Sequence, residues 1–275
     1  MHDGRINIFR MEKHYDRFLR SLDRMCMAPV SKEIFVEGLT RLIEVDKNWV
    51  PAESGSALYI RPFMYASEAK FGVKVADEYR FIIFTGPVPS LFAHPIKVKV
   101  ENNYIRAAKG GAGYAKCAGN YGGAMYATAQ AKAKGYDQVL WTDAFEHKYV
   151  QECGTMNIFF IIGDTAITPD LHEGTILAGV TRNSTMVLLK EMGFRVEERS
   201  ISIDDVISAH KAGILYEVFG TGTAATITLI KELRYKDYVM EFDVTNWKTA
   251  PAIKDHLNAI RYGQVPDNHS WMVKV

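Results

Sequence analysis

The chain has 275 residues, 48% hydrophobic and 24% charged, which suits one large domain or two of ordinary size and excludes disordered and fibrous proteins. Its 33 Lys and Arg nearly cancel 32 Asp and Glu, leaving a formal net charge of +1, so no global field invites nucleic acid, and any bound anion needs a local site. Apolar runs such as Phe81 to Phe84 and Ile158 to Ile162 are far shorter than the ~20 residues that span a bilayer, so a membrane is not an expected partner.

Along the chain, Asp3-Gly4 is a hairpin signal and Arg5 to Phe9 reads as the strand leaving that turn, with no partner strand before it. His14 to Met25 carries Phe18, Leu19 and Leu22 at helical spacing, and a second helical pattern spans Phe35 to Val45. Extended runs follow at Ala57 to Pro62 and Tyr79 to Thr85. Gly86-Pro87-Val88-Pro89-Ser90 is expected to stop both helix and ladder. It marks a boundary between a small domain, 1–88, and a larger one, 95–275, joined by a loop at 89–94.

The second part opens on strand-like Ile96 to Val100, with further strands at Gln138 to Thr142, Asn157 to Ile162 and Arg195 to Ser200. Helices are expected at Gly122 to Lys134, whose Ala/Lys-rich half from Ala127 reads as exposed, and at Arg182 to Met192, ended by Gly193. Ser202-Ile203-Asp204-Asp205 resembles a capping box opening a helix that ends at Gly213. Strands and helices without a regular βαβ rhythm favour an α+β or irregular α/β fold over a doubly wound sheet. Cys26, Cys117 and Cys153 have neither disulfide nor zinc spacing, so reduced thiols, a cytoplasmic location and no bound metal are expected.

Four stretches can carry chemistry. Lys116 stands in Gly110-Gly111-Ala112-Gly113-Tyr114-Ala115-Lys116, where small neighbours would shelter its amine and favour a Schiff base, although most lysines in such loops are simply solvated. Tyr121 is placed to hydrogen-bond whatever Lys116 holds, or is an ordinary core tyrosine. Gly179-Val180-Thr181-Arg182 opens a helix whose free N–H groups suit a phosphate, with plain threonine capping as the alternative. Gly220 to Thr226 offers a small-residue nest for an anion, or a structural turn. Glu152 lies where an ionised carboxylate is costly unless it meets a cation. An amine for an aldehyde, two anion nests and a carboxylate for a cationic ring are the set that pyridoxal 5'-phosphate needs.

These residues resemble the branched-chain amino acid aminotransferases, a group of fold-type IV pyridoxal-phosphate enzymes. The motifs are His14-Tyr-Asp-Arg17, Leu58-Tyr-Ile-Arg-Pro62, Ala115-Lys-Cys-Ala-Gly-Asn-Tyr121, Glu152-Cys-Gly-Thr-Met-Asn157, Gly179-Val-Thr-Arg182 and Phe219-Gly-Thr-Gly-Thr-Ala224. The resemblance implies a two-domain α+β fold like that of D-amino acid aminotransferase, with the cofactor between a small α+β and a larger mixed domain. It makes Lys116 the lysine that forms the internal aldimine and moves the Cα proton, with Tyr121 on the ring's phenolic oxygen, Glu152 on the pyridine nitrogen and Thr155 supporting the ring. Arg17, Val180, Thr181 and Thr223 would hold the phosphate, while Thr223 and Ala224, with Tyr59 and Arg61 opposite, would receive the substrate.

The reaction implied is ping-pong transfer of the amino group of leucine, isoleucine or valine to 2-oxoglutarate, giving glutamate, in a homodimer. The departures are Leu91 beside Phe92 where the family has its loop aromatic, and Ala225 where some animal members begin a redox C-x-x-C. A third is a start that lacks the family's opening strands and Phe-Glu-Gly motif. The alternatives are a D-amino acid aminotransferase, an aminodeoxychorismate lyase-like enzyme, or an inactive shortened chain.

Overall fold

The computed structural model describes residues 6–53, 55–88, 94–224 and 226–275. Asp3-Gly4, Arg5, Leu91, Phe92 and Ala225 therefore lie outside the described residues. Contacts divide the chain into two units, Met1–Leu91 with His256–Val275, and Phe92–Asp255.

In the first unit the spacing of apolar residues produces helix α1 (Met11–Arg24), which buries Met11, Tyr15, Arg17, Ser21 and Leu22 on one face. Helix α2 (Lys32–Val45) starts at Ser31, whose side chain accepts from Ile34 N–H, and it buries Phe35, Leu39 and Ile43. Both pack with Ile60, Met64, Phe81 and Ile83 of the ribbon formed by β2 (Ala57–Ala66) and β3 (Tyr79–Val88). The expected break at Gly86 does not occur, since Gly86, Pro87 and Val88 pair with Tyr59, Leu58 and Ala57. A two-stranded ribbon leaves one side of each strand without ladder bonds, so a proline lacking an N–H is tolerated there.

Strand β1 (Asn7–Phe9) is not left unpaired either: it runs antiparallel to β13 (Met272–Lys274). That pairing explains why residues 256–275, read from sequence with the second domain, cluster by contact with the first unit.

The second unit holds β4 (Ile96–Val100), α3 (Ala118–Ala133), β5 (Gln138–Thr142), β6 (Val150–Cys153), β7 (Asn157–Ile162), β8 (Thr165–Thr168) and α4 (Val180–Glu191). It continues through β9 (Arg195–Glu198), α5 (Ile203–Lys211), β10 (Leu215–Gly222), β11 (Thr226–Tyr235), β12 (Tyr238–Glu241) and the start of α6 (Thr249–Arg261). The strands form one sheet in the order β6-β5-β4-β11-β10-β7-β8-β9, with β12 also on β11. Strand β4 runs parallel to β5 and β11, and β8 to β9, while the other pairs are antiparallel. The sheet is therefore mixed and mostly antiparallel, which fits an α+β fold.

Strands β5 and β7 are buried almost throughout, the mark of a sheet covered on both faces. The alanine-rich half of α3 is exposed at Ala129, Gln130, Lys132 and Ala133, as expected, while Ala127 and Ala131, with Ala124 before them, are buried against Val139 and Trp141 of β5. Their small side chains bring the helix backbone close to the sheet, and this holds the segment before α3 in place. Among the described residues no helix is long and apolar enough to cross a membrane.

Candidate active site

The loop that carries Lys116 is shaped by its glycines. Gly110 has φ +79°, and a Cβ on Gly113 would stand 2.5 Å from the Thr175 carbonyl oxygen and 2.6 Å from Ala107 Cβ. Asn120, in the first turn of α3, donates from one amide nitrogen to the carbonyls of Ala112 and Ala115, both at 2.8 Å. The loop is thereby clasped to the helix that follows it. At its end, Lys116 Nζ donates to the Tyr121 hydroxyl at 2.7 Å. The side chain is exposed rather than sheltered.

Beside this pair a cavity of about 20 Å³ is lined by Tyr121, Asn120, Arg106, Glu152, Thr155 and Leu177, among others. Glu152 comes from β6, which is buried along its whole length. Its Oε1 accepts from Asn157 Nδ2 and from Leu177 N–H, both at 3.1 Å. Its Oε2 stands 2.9 Å from Arg106 Nε; that nitrogen is not aligned as a hydrogen-bond donor, so the contact is ionic. Burial pushes the Glu152 carboxyl above the ordinary carboxylate range, against the pull of Arg106, the Leu177 N–H, Lys116 and Arg182.

Arg106 is the residue that sequence reasoning missed. Its Nη2 donates to the carbonyls of Thr175 and Gly113, so one guanidinium joins the lysine loop, the segment before α4 and the buried acid. The signal available was the rule that a buried carboxylate must find a cation; which cation lies in the fold, not in the local sequence.

The N-cap of helix α4 is Gly179, which has no side chain to cap it, so Thr181 is not the cap. A Cβ on Gly179 would fall 2.0 Å from Asn157 Oδ1, which sets this helix terminus against the same asparagine that holds Glu152. Gly220 to Gly222 and Thr226 belong to a β-hairpin, with Gly222 paired to Thr226, and Thr223 and Ala224 stand in its turn. Lys116, Tyr121, Glu152 and Thr155 are thus brought together, and Val180 and Thr181 adjoin them through Asn157. Arg17, Tyr59 and Arg61 belong to the other unit: Arg17 is buried on α1, and on β2 Arg61 Nη2 donates to the Tyr59 hydroxyl at 3.3 Å.

A model of the class IV amino-transferase family matches residues 1–233. The chain belongs to the class IV aminotransferases. Within that family it is 44% identical over 279 residues to branched-chain-amino-acid aminotransferase 2 of Bacillus subtilis strain 168, covering 99% of this chain and 76% of that protein. It is 39% identical over 284 residues to the branched-chain-amino-acid aminotransferase of Mycolicibacterium smegmatis, with 99% and 76% covered.

Solved structures agree on the fold. The branched-chain amino acid aminotransferase of Thermobaculum terrenum in its PLP-form superposes with a TM-score of 0.79 at 23% identity, covering 99% of this chain and 84% of that one. The Escherichia coli enzyme gives 0.78 at 24%, with 97% and 83% covered. This aminotransferase is therefore of fold type IV.

Proposed function

We propose that this aminotransferase moves the amino group of branched-chain L-amino acids (leucine, isoleucine and valine) to 2-oxoglutarate, using pyridoxal 5'-phosphate. The observation that carries the reading is the Lys116 amine on the Tyr121 hydroxyl at 2.7 Å, beside a cavity that the buried Glu152 also lines. The substrate class follows the names of relatives that share about four residues in ten with nearly the whole chain.

The donor set fits the cofactor: a primary amine, a hydroxyl, a buried carboxylate and an uncapped helix N-terminus. When bound, pyridoxal phosphate supplies an aldehyde for amines and a protonated ring that accepts electron density from the substrate Cα. Lys116 would hold the cofactor through its amine and would move the proton at the substrate Cα. Tyr121 would donate to the ring hydroxyl oxygen, and Glu152, as a carboxylate, would accept from the protonated ring nitrogen and keep the proton there.

Thr155 supports the ring, while Val180, Thr181, Thr223 and Arg17 receive the phosphate. Thr223 and Ala224 bind the substrate carboxylate, and Tyr59 and Arg61 line the pocket. The enzyme works as a cytoplasmic homodimer. The relatives' names favour this reading over a D-amino acid aminotransferase or a lyase.

The test is glutamate formation from 2-oxoglutarate with each L-amino acid and its D-isomer. L-leucine, L-isoleucine and L-valine are expected to react, and Lys116→Ala lowers turnover by at least about a hundredfold, the scale of general acid–base loss. Equal rates with D-isomers, or an undiminished Lys116→Ala variant, contradict the reading.

A further inference from the structure

A second and larger cavity of the Phe92–Asp255 unit lies away from the lysine. It has a volume of about 330 Å³ and is lined by Lys99, Lys134, Tyr136, Arg234 and Lys236, with Asn102 and Val100. The four cations come from β4, the end of α3, β11 and the β11–β12 turn, and among the described residues no carboxylate lines the cavity.

Their convergence is costly to the fold. Lys99 and Arg234 are register partners on neighbouring parallel strands, where like charges repel. The nearby acids are mostly engaged elsewhere. Glu232 lies 2.8 Å from Lys97 Nζ, and Asp137 accepts the Lys97 N–H at 2.7 Å. Glu101 accepts the N–H groups of residues 102–104 and meets Lys99 at 3.3 Å.

The Arg234 guanidinium is oriented by the Lys236 carbonyl, 3.1 Å from Nε, and by the Tyr136 hydroxyl, 3.4 Å from Nη1. Asp237 and Glu232 act on it only through space. Lys134 and Lys236 meet no carboxylate within ion-pair distance among the described residues.

We infer that this cavity is a second anion site, separate from the active site, for a small molecule carrying two or more linked phosphates. Four cations around a hydroxyl and an amide suit several phosphate oxygens at once, and a planar guanidinium held by two neighbours is set for two parallel hydrogen bonds to one phosphate. The volume falls at the lower end of ordinary ligand pockets.

Calorimetric titration of the cofactor-loaded chain, freed of excess pyridoxal phosphate, with inorganic pyrophosphate tests this. Saturable binding is expected, weakened by salt as cation–phosphate contacts are. The double variant Lys134→Glu/Lys236→Glu lowers affinity by at least about tenfold, the loss expected from two charged contacts. Lys134→Gln/Lys236→Gln lowers it less, and both variants keep the bound cofactor's visible absorbance, which shows that they fold. Unchanged affinity in both variants, no saturable heat, or equal binding of citrate would each overturn the assignment.

Discussion

Lys116 and Glu152 illustrate how much a single residue's neighbours decide. The lysine stands out in sequence by the small residues around it, and Asn120 and Gly113 are what fix its loop in space. Its exposure agrees with the alternative reading, a solvated loop lysine. Glu152 was readable as a carboxylate in need of a cation, whereas its partner Arg106 was hidden because the pair meets only once β6 is in the sheet.

The Arg106 and Glu152 side chains are 7% and 5% exposed. Arg106→Ala leaves a buried carboxyl without its cation and costs about 3 kcal/mol of stability, measured by urea denaturation of the cofactor-free chain. The Arg106→Ala/Glu152→Ala double variant recovers part of the loss. A single-variant loss below about 1 kcal/mol would mean that the ion pair does not anchor the acid.

At the level of elements, strong local signals survived folding and weak ones did not. Ser202 and Asp205 form the expected capping box: Ser202 Oγ accepts from Asp205 N–H at 3.0 Å and Asp205 Oδ2 from Ser202 N–H at 3.0 Å. Ser202→Ala is expected to destabilise the chain by about 1 kcal/mol.

The hydrogen bonds from Ser202 hold the Asp205 carboxyl below its ordinary value. The stabilisation it contributes is therefore fully present above about pH 4 and lost as pH falls through the folded value. Thermal melts across the acid range should show Ser202→Ala losing stability less steeply than the parent; parallel curves would contradict this.

The hairpin of β10 and β11 was less legible. Gly220-Thr221-Gly222-Thr223 has small residues that suit a nest as well as a strand, and only pairing with β7 on the other side of β10 selects the strand. Likewise Pro87 reads as a breaker until the ribbon is seen to have an open edge.

For the molecule as a whole, the mixed strand order was implied by the irregular rhythm of strands and helices, but the return of the C-terminus to pair with β1 was not. Its register involves three residues at each end of the chain, too short a pattern to read locally. The surface carries Met125 and Tyr126 on α3, 68% and 59% exposed, near Tyr104 and Ile105. A cluster of this kind suits an interface with a second copy. Sedimentation should give twice the mass of the 31.0 kDa chain, and Met125→Glu should shift it toward the monomer. A monomeric parent would remove the dimer from the account.

The central claim is that one amine in the chain bonds the cofactor, and borohydride reduction of the cofactor-loaded protein followed by peptide mapping tests it most directly. The phosphopyridoxyl label should fall on the peptide containing Lys116 and disappear in Lys116→Ala. A label on another lysine, in protein that unfolds cooperatively, would contradict the account.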